Sequence, residues 1–201
     1  MIPNSESEIQ NPKSKIQNLL APHFFPWAAS GVWAIFVAVI SAAPALYAVH
    51  LRRELATGGG LLGKYYPNMQ WQGPPVFVRK DSRLDFDWMA DPPLAGQFSV
   101  EWTGTIRLDR AGQYAFAVES DDGSFLDLAG KVIVNNGGSH PPRKVWGRVE
   151  VTRAGRYPLA IRYFNDQYGG MMRVTWQPPG KVEQLLPHDI LSPPDVGGGS
   201  R

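Results

Sequence analysis

The feature that most constrains this fold is a strict two-residue alternation of apolar and polar side chains. It is clearest in FSVEWTGTIRLD, residues 98–109, and it recurs in QYAFAVE, VWGRVEVT, RYPLAIRYF and MMRVTW. Successive side chains of a β-strand point to opposite faces of the sheet, so this period indicates strands with one face against a core. The residues predicted to face that core are Phe98, Val100, Trp102, Ile106, Leu108, Tyr114, Phe116, Val118, Val145, Val149, Val151, Tyr157, Leu159, Ile161, Tyr163, Met172, Val174 and Trp176.

Turn-forming sequences separate these strands, namely RAG, LAGK, NNGG and QPPG. Short strands joined by such turns predict an all-β fold, an antiparallel β-sandwich or barrel. Two turns open similar segments, RAGQYAFA (residues 110–117) and RAGRYPLA (residues 153–160), which indicates two similar hairpin corners rather than a repeat protein. Pro158 has no backbone N–H to donate, so its strand is predicted to lie at a sheet edge or to begin late.

Charge and composition exclude several classes of function. Lys plus Arg total 20 and Asp plus Glu total 18, a formal net charge of +2. No basic stripe stands out in the β-rich part, which argues against a nucleic-acid partner. Cysteine is absent, which removes disulfides, thiolate chemistry and Cys-ligated zinc. No nucleophile elbow, phosphate-binding loop or metalloprotease helix motif is present, and the chain is predicted not to be an enzyme.

A long apolar segment precedes the β-rich part. Residues 24–49, FFPWAASGVWAIFVAVISAAPALYAV, contain no charged side chain. About 20 such residues cross a bilayer core as a helix, so we predict a single transmembrane anchor over residues 24–50. A cleaved signal peptide is the rival interpretation, but the stretch is too long and too late for one.

The orientation of this anchor stays open at the level of sequence. Lys13 and Lys15 precede the segment, while Arg52 and Arg53 follow it directly. The positive-inside count is therefore a tie, and the proximity of the arginine pair slightly favours a cytoplasmic C-terminal side.

The remaining organisation follows from composition. Residues 1–22 are polar without an apolar period and are predicted to form a flexible arm. A hinge follows the anchor over residues 51–60, which include the stretch TGGG. Residues 61–192 are predicted to form one β domain, and residues 193–201 a flexible tail.

Two adjacent carboxylates, Asp121 and Asp122, stand out between a predicted strand and a glycine. Like charges repel, so the pair is either solvated in a turn or held together by a cation. The sequence SDDG is good turn chemistry without any ion. Adjacent aspartates also cannot flank a glycosidic bond from opposite sides, as the carboxylate pair of a glycosidase does.

Taken in order, several motifs resemble the anthrax protective-antigen amino-terminal domain family, also called the PA-fourteen domain. The resemblance covers about residues 61–192. It implies an antiparallel β-barrel that binds carbohydrate in many members and is a non-binding structural module in others, so the fold alone does not determine function. The motifs that carry it are GLLGKYY (60–66), LDFDW (84–88), the stretch from Phe98 to His140, AGRYPLAIRYF (154–164), GGMMRVTWQPPG (169–180) and LPHDIL (186–191).

The resemblance also implies a calcium site. In the sugar-binding branch, two consecutive aspartates joined by a cis peptide hold a calcium ion that binds sugar hydroxyls, and Asp121 and Asp122 fall on that motif. Calcium takes 6–8 oxygen ligands, so more are needed. The family takes them from a later loop, here FNDQYGG. The implied contributors there are the side chain of Asn165, with Asp166 as the second choice, the backbone carbonyls of Gln167 and Gly169, and Tyr168 beside the sugar ring.

The leading hypothesis is therefore a membrane-anchored, lectin-like module that binds a glycan or glycoconjugate through calcium. The resemblance favours export of the C-terminal domain, against the slight pull of the arginine pair. The alternative is a structural or protein-interaction β-barrel without a metal site. His140 and His188 have no metal-ligand spacing and are predicted to be structural or exposed.

Overall fold

The computed structural model describes residues 59–167 and 170–194. The predictions for the arm, the anchor, most of the hinge and most of the tail lie outside these residues, as do Tyr168 and Gly169. Within the described ranges, no helix has the length and apolarity that a bilayer crossing requires.

Twelve β-strands form the described part of the chain, with one 3₁₀ turn at His188–Ile190 and no α-helix. The first strand begins at Leu61 and the last ends at Ser192. The strands are β1 (Leu61–Tyr66), β2 (Phe77–Asp81), β3 (Asp85–Asp87), β4 (Phe98–Leu108), β5 (Gly112–Asp121), β6 (Ser124–Leu128), β7 (Lys131–Asn136), β8 (Arg143–Val151), β9 (Gly155–Asn165), β10 (Met171–Gln177), β11 (Gln184–Leu185) and β12 (Leu191–Ser192).

The strands form two antiparallel sheets, which confirms the predicted all-β class. The larger sheet has the order β2-β1-β4-β9-β6-β7, with β12 also paired to β4. The smaller sheet has the order β11-β10-β5-β8, with β3 paired to β10. Consecutive strands β4 and β5 lie in different sheets, so the chain crosses between the layers and encloses a common core.

The alternating residues predicted from sequence form a large part of the core, which residues of β1, β6 and β7 complete. Those of β4 and β5 are buried almost completely, as are those of β10 and most of β9. Val145, Val149 and Tyr157 are only partly buried and pack against the margin of the core. Fully burying a side chain of this size contributes about 1.5–3 kcal/mol, so the period-two pattern supplies the main force that holds the sheets together.

A buried carboxylate lies inside this apolar layer. Asp81, the last residue of β2, is 7% exposed. Its Oδ2 accepts hydrogen bonds from the Tyr65 hydroxyl and from Trp102 Nε1, both at 2.7 Å, and its Oδ1 accepts one from Arg79 Nε at 2.7 Å. Burial, and then the charge of Asp81, raise the pKa of the Tyr65 hydroxyl, which therefore stays protonated as a donor.

The two similar segments form matching corners, but the prediction that these corners are hairpins is wrong, because each joins strands of different sheets, β4 to β5 and β8 to β9. The Tyr114 hydroxyl donates to the carbonyl of Arg110 at 3.0 Å, and the Tyr157 hydroxyl donates to the carbonyl of Arg153 at 2.6 Å. In both cases the tyrosine closes the turn four residues before it.

The prediction of an edge or late-starting strand at Pro158 is wrong. Strand β9 begins at Gly155 and lies between β4 and β6. The Pro158 carbonyl accepts a hydrogen bond from the Ala129 N–H at 2.8 Å, just beyond the end of β6. Proline is tolerated because its carbonyl meets a turn donor at this point and no N–H is required of it.

We expect Asp81→Ala to destabilise the fold strongly. The substitution leaves two fully buried donors, Tyr65 and Trp102, without an acceptor, and each unsatisfied group costs about 1–3 kcal/mol. The expected loss is about 2–5 kcal/mol, measured by urea-induced unfolding followed by tryptophan fluorescence. Asp81→Asn keeps an oxygen of the same shape and should lose less. Equal unfolding midpoints for Asp81→Ala and the unmodified protein would contradict this assignment.

Candidate functional site

The candidate site lies at one end of the two sheets, where β5 and β9 end. Asp121 is the last residue of β5 and pairs with Met171 at the start of β10. Asn165 is the last residue of β9 and pairs with Phe98 at the start of β4. One predicted site residue from each sheet therefore lies at this end of the fold.

The peptide bond between Asp121 and Asp122 is cis. The alternative of a pair solvated in a turn predicts an exposed Asp122, but this side chain is only 7% exposed. Its two oxygens accept backbone hydrogen bonds, Oδ1 from the N–H of His140 at 2.9 Å and Oδ2 from the N–H of Asp166 at 2.8 Å. Its carbonyl accepts a hydrogen bond from Ser120 Oγ at 2.6 Å. The carboxylate is thus oriented by two loops, and the backbone of Asp122 is held by β5.

Asp121 differs from its neighbour. Its side chain is half-buried, and its carboxylate accepts no hydrogen bond from any residue that the structure describes. Burial, and then the charge of Asp122, raise the pKa of Asp121, while His140 opposes the shift. The same conditions favour a cation at this point, because a positive charge would offset both effects.

The backbone carbonyl of Asp121 also points into the site. It accepts a hydrogen bond from the Tyr163 hydroxyl at 2.5 Å. Burial, and then the charges of Asp122 and Asp121, raise the pKa of Tyr163, so this hydroxyl remains a donor.

Asn165 carries an oxygen without a partner. The residue is 1% exposed, and its Nδ2 makes one long hydrogen bond to the Gly96 carbonyl at 3.4 Å. Its Oδ1 is buried and has no hydrogen-bond partner among the described residues. An unsatisfied buried acceptor costs about 1–3 kcal/mol, so a buried oxygen of this kind indicates a missing donor or ion.

Three oxygens converge above Gly170. A Cβ atom at this position would lie 2.1 Å from the Tyr163 hydroxyl, 2.6 Å from the Asp121 carbonyl oxygen and 2.9 Å from Asn165 Oδ1. Glycine is required because any side chain would enter the space that these oxygens share.

The other predicted site residues are placed differently. The Asp166 carboxylate accepts hydrogen bonds from Gln97 Nε2 and Ser139 Oγ, both at 2.8 Å. Gln167 is exposed at the same end. Among residues 59–167 and 170–194, no three acidic or histidine side chains are grouped as a metal site. A cation at this end would therefore depend on amide and carbonyl oxygens as well as carboxylates, which is the ligand mixture that calcium accepts.

Sequence reasoning missed one wall of the site, the loop of residues 137–142 between β7 and β8. The stretch NNGG is predicted only to form a turn, yet the Ser139 hydroxyl and the His140 N–H that follow it donate hydrogen bonds to Asp166 and Asp122. No sequence signal marks these contacts, because one donor is a backbone group and the other an ordinary surface serine.

Comparison with known proteins agrees with this architecture. The model of the PA14 domain matches residues 59–189, and the chain belongs to this family, as its motifs indicated. The anti-sigma-I factor RsgI3 of Acetivibrio thermocellus is 27% identical over 143 residues, which is 69% of this chain and 22% of that protein. The chain thus spans about a fifth of the length of this curated relative.

Two solved structures share the fold. An anti-sigma factor domain-containing protein from Clostridium clariflavum is 25% identical, with a TM-score of 0.63 over 70% of this chain and 49% of that one. A PA14 sugar-binding domain from an RTX adhesin is 17% identical, with a TM-score of 0.58 over 68% of this chain and 99% of that one.

We expect Gly170→Ala to disrupt the site and destabilise the fold by about 1–3 kcal/mol, the usual cost of overpacking. The new methyl group would overlap the Tyr163 hydroxyl and the Asp121 carbonyl. Gly155→Ala is the matched control, because its Cβ would make an ordinary contact of 3.7 Å with Tyr157. The measurement is the urea midpoint of both variants, and a loss no larger at Gly170 than at Gly155 would contradict the close packing described here.

Proposed function

We propose that this chain is a membrane-anchored, lectin-like protein that binds carbohydrate through a calcium ion held by Asp121, Asp122 and Asn165. The anchor is the segment of residues 24–50, and the β domain lies outside the cytoplasmic membrane. The observation that carries the calcium site is the buried, unpartnered Oδ1 of Asn165, which lies beside the Asp121 carbonyl above Gly170.

The residues of the site have different roles in calcium binding. Asp121 and Asp122 supply negative charge, and the hydrogen bonds from His140 and Asp166 keep the second carboxylate oriented. Asn165 adds a neutral oxygen from the other sheet. A bound calcium ion supplies open coordination positions for two adjacent sugar hydroxyls. The carbonyls of Gln167 and Gly169 complete the ligand set and Tyr168 borders the sugar, as the family resemblance implies.

Two facts from the comparisons support carbohydrate as the ligand. The chain is a PA14 domain protein, and a solved PA14 domain with the same fold is described as sugar-binding in an RTX adhesin. Gln167 is exposed at this end, where a glycan can reach it.

A second candidate function is a non-catalytic interaction module within a regulatory protein. The observation that favours it is the match to anti-sigma factor proteins, both in sequence and in fold. This candidate requires no ion at the Asp pair, so the response to calcium separates the two.

We expect the full chain, in micelles of a detergent without a sugar headgroup, to bind calcium with a dissociation constant of about 10⁻⁴–10⁻³ M, the range of extracellular modules. Asp121→Asn should weaken binding at least about tenfold, or about 1.4 kcal/mol, because it removes a ligand charge that makes no described hydrogen bond. Isothermal titration calorimetry measures this. Asp109→Asn, which removes an exposed carboxylate of the ion pair with Arg107, is the matched control.

Glycan binding should depend on the same site. We expect binding on a glycan array in the presence of calcium, with loss on addition of a chelator and in Asp121→Asn. Absence of calcium uptake up to about 10 mM would refute the calcium site, since that lies well above the usual affinity range. Glycan binding that survives chelation would reject calcium as the bridge while retaining carbohydrate as the ligand.

A further inference from the structure

We infer that Ser139 and Gln97, acting through Asp166, are positioning residues of the calcium site, and that Asp166 orients the site rather than ligating the ion. The inference rests on the proposed function and deepens it. It adds the loop of residues 137–142 to the site and gives the second-choice ligand a different role.

The hydrogen bonds form a closed ring around Asp122. Its Oδ2 accepts from the Asp166 N–H at 2.8 Å, and Asp166 Oδ2 accepts from Ser139 Oγ at 2.8 Å. Ser139 is bonded covalently to His140, whose N–H donates to Asp122 Oδ1 at 2.9 Å. The ring therefore leads from one carboxylate oxygen of Asp122 back to the other through two separate loops.

Gln97 connects this ring to a third loop. Its Nε2 donates to Asp166 Oδ1 at 2.8 Å, from the segment that precedes β4. Both oxygens of Asp166 are therefore engaged by described donors. The absence of a three-acid group in the described ranges agrees with this orientation. A carboxylate held in this way is suited to fix its own backbone N–H, which is the group that contacts Asp122.

A buried polar cluster supports the loop of residues 137–142. Asn136 is fully buried; its Nδ2 donates to Ser120 Oγ at 2.9 Å and its Oδ1 accepts from Arg143 Nε at 2.7 Å. The same Ser120 hydroxyl donates to the Asp122 carbonyl at 2.6 Å. One buried polar cluster thus supports both the loop and the Asp pair, so the position of one depends on the other.

The independent sign of a ligand at this ring is the unpartnered Oδ1 of Asn165, the residue directly before Asp166. An ion bound there needs Asp122 in one orientation. Each Asp122 oxygen accepts one described N–H and keeps further acceptor sites for a cation. Partners that orient ligands in this way typically contribute 10–100-fold to metal affinity.

The test is whether removing these hydrogen-bond donors weakens or strengthens calcium binding. Ser139→Ala should weaken calcium binding by the full chain about tenfold, and Gln97→Ala should weaken it in the same direction. If Asp166 is instead a ligand, removing these donors frees its oxygens and leaves calcium binding unchanged or tighter. Ser139→Thr keeps the hydroxyl and should restore affinity. Ser192→Ala is the control, since Ser192 Oγ accepts one exposed hydrogen bond from Arg156.

A second measurement needs no calcium. In the calcium-free chain, amide hydrogen exchange of Asp166 should be faster in Ser139→Ala than in the unmodified protein, and unchanged in Ser192→Ala. Affinity and exchange that are both unaffected in Ser139→Ala would overturn the inference while leaving the calcium site in place. If the unmodified protein binds no calcium, the proposed function fails first and the inference fails with it.

Discussion

The structure depends on the eleven-residue pairing between β4 and β9 at the centre of the larger sheet. Each residue from Phe98 to Leu108 faces one residue from Asn165 to Gly155. Because a slip of one residue would turn every core side chain outward, the buried alternation excludes such a slip. That register places Asn165 at the end of the larger sheet. Asp121, which pairs with Met171, lies at the same end of the smaller sheet.

Two buried carboxylates organise the part of the chain that the structure describes, Asp81 and Asp122. Asp81 satisfies two fully buried donors in the core and so joins β1, β2 and β4. Asp122 accepts two backbone donors and so joins the loops around the candidate site. The contrast is Asn165, whose side-chain oxygen has no described partner. This unpartnered oxygen, close to the two aspartates, is what gives the proposed ion a physical basis.

Features that depend on neighbouring residues were predicted from the sequence, whereas features that depend on residues far apart in the chain were not. Alternation is local, and it identified β4, β5, β9 and β10 with their inward residues. The matching corners at Tyr114 and Tyr157 were also visible as local repeats. Pro158 was misassigned because the donor that meets its carbonyl, Ala129, belongs to a distant turn. The burial of Asp122 was missed because its partners lie 18 and 44 residues further along the chain.

The sequence by itself determined the all-β class, the family and the candidates Asp121, Asp122 and Asn165, because periodicity and ordered motifs are written in neighbouring residues. Only the tertiary structure decided which oxygens converge, that Asp166 turns toward Gln97 and Ser139, and that residues 137–142 border the site. The physical reason is that hydrogen bonds between loops depend on the sheet registers that bring those loops together. No local pattern in the chain encodes such distances.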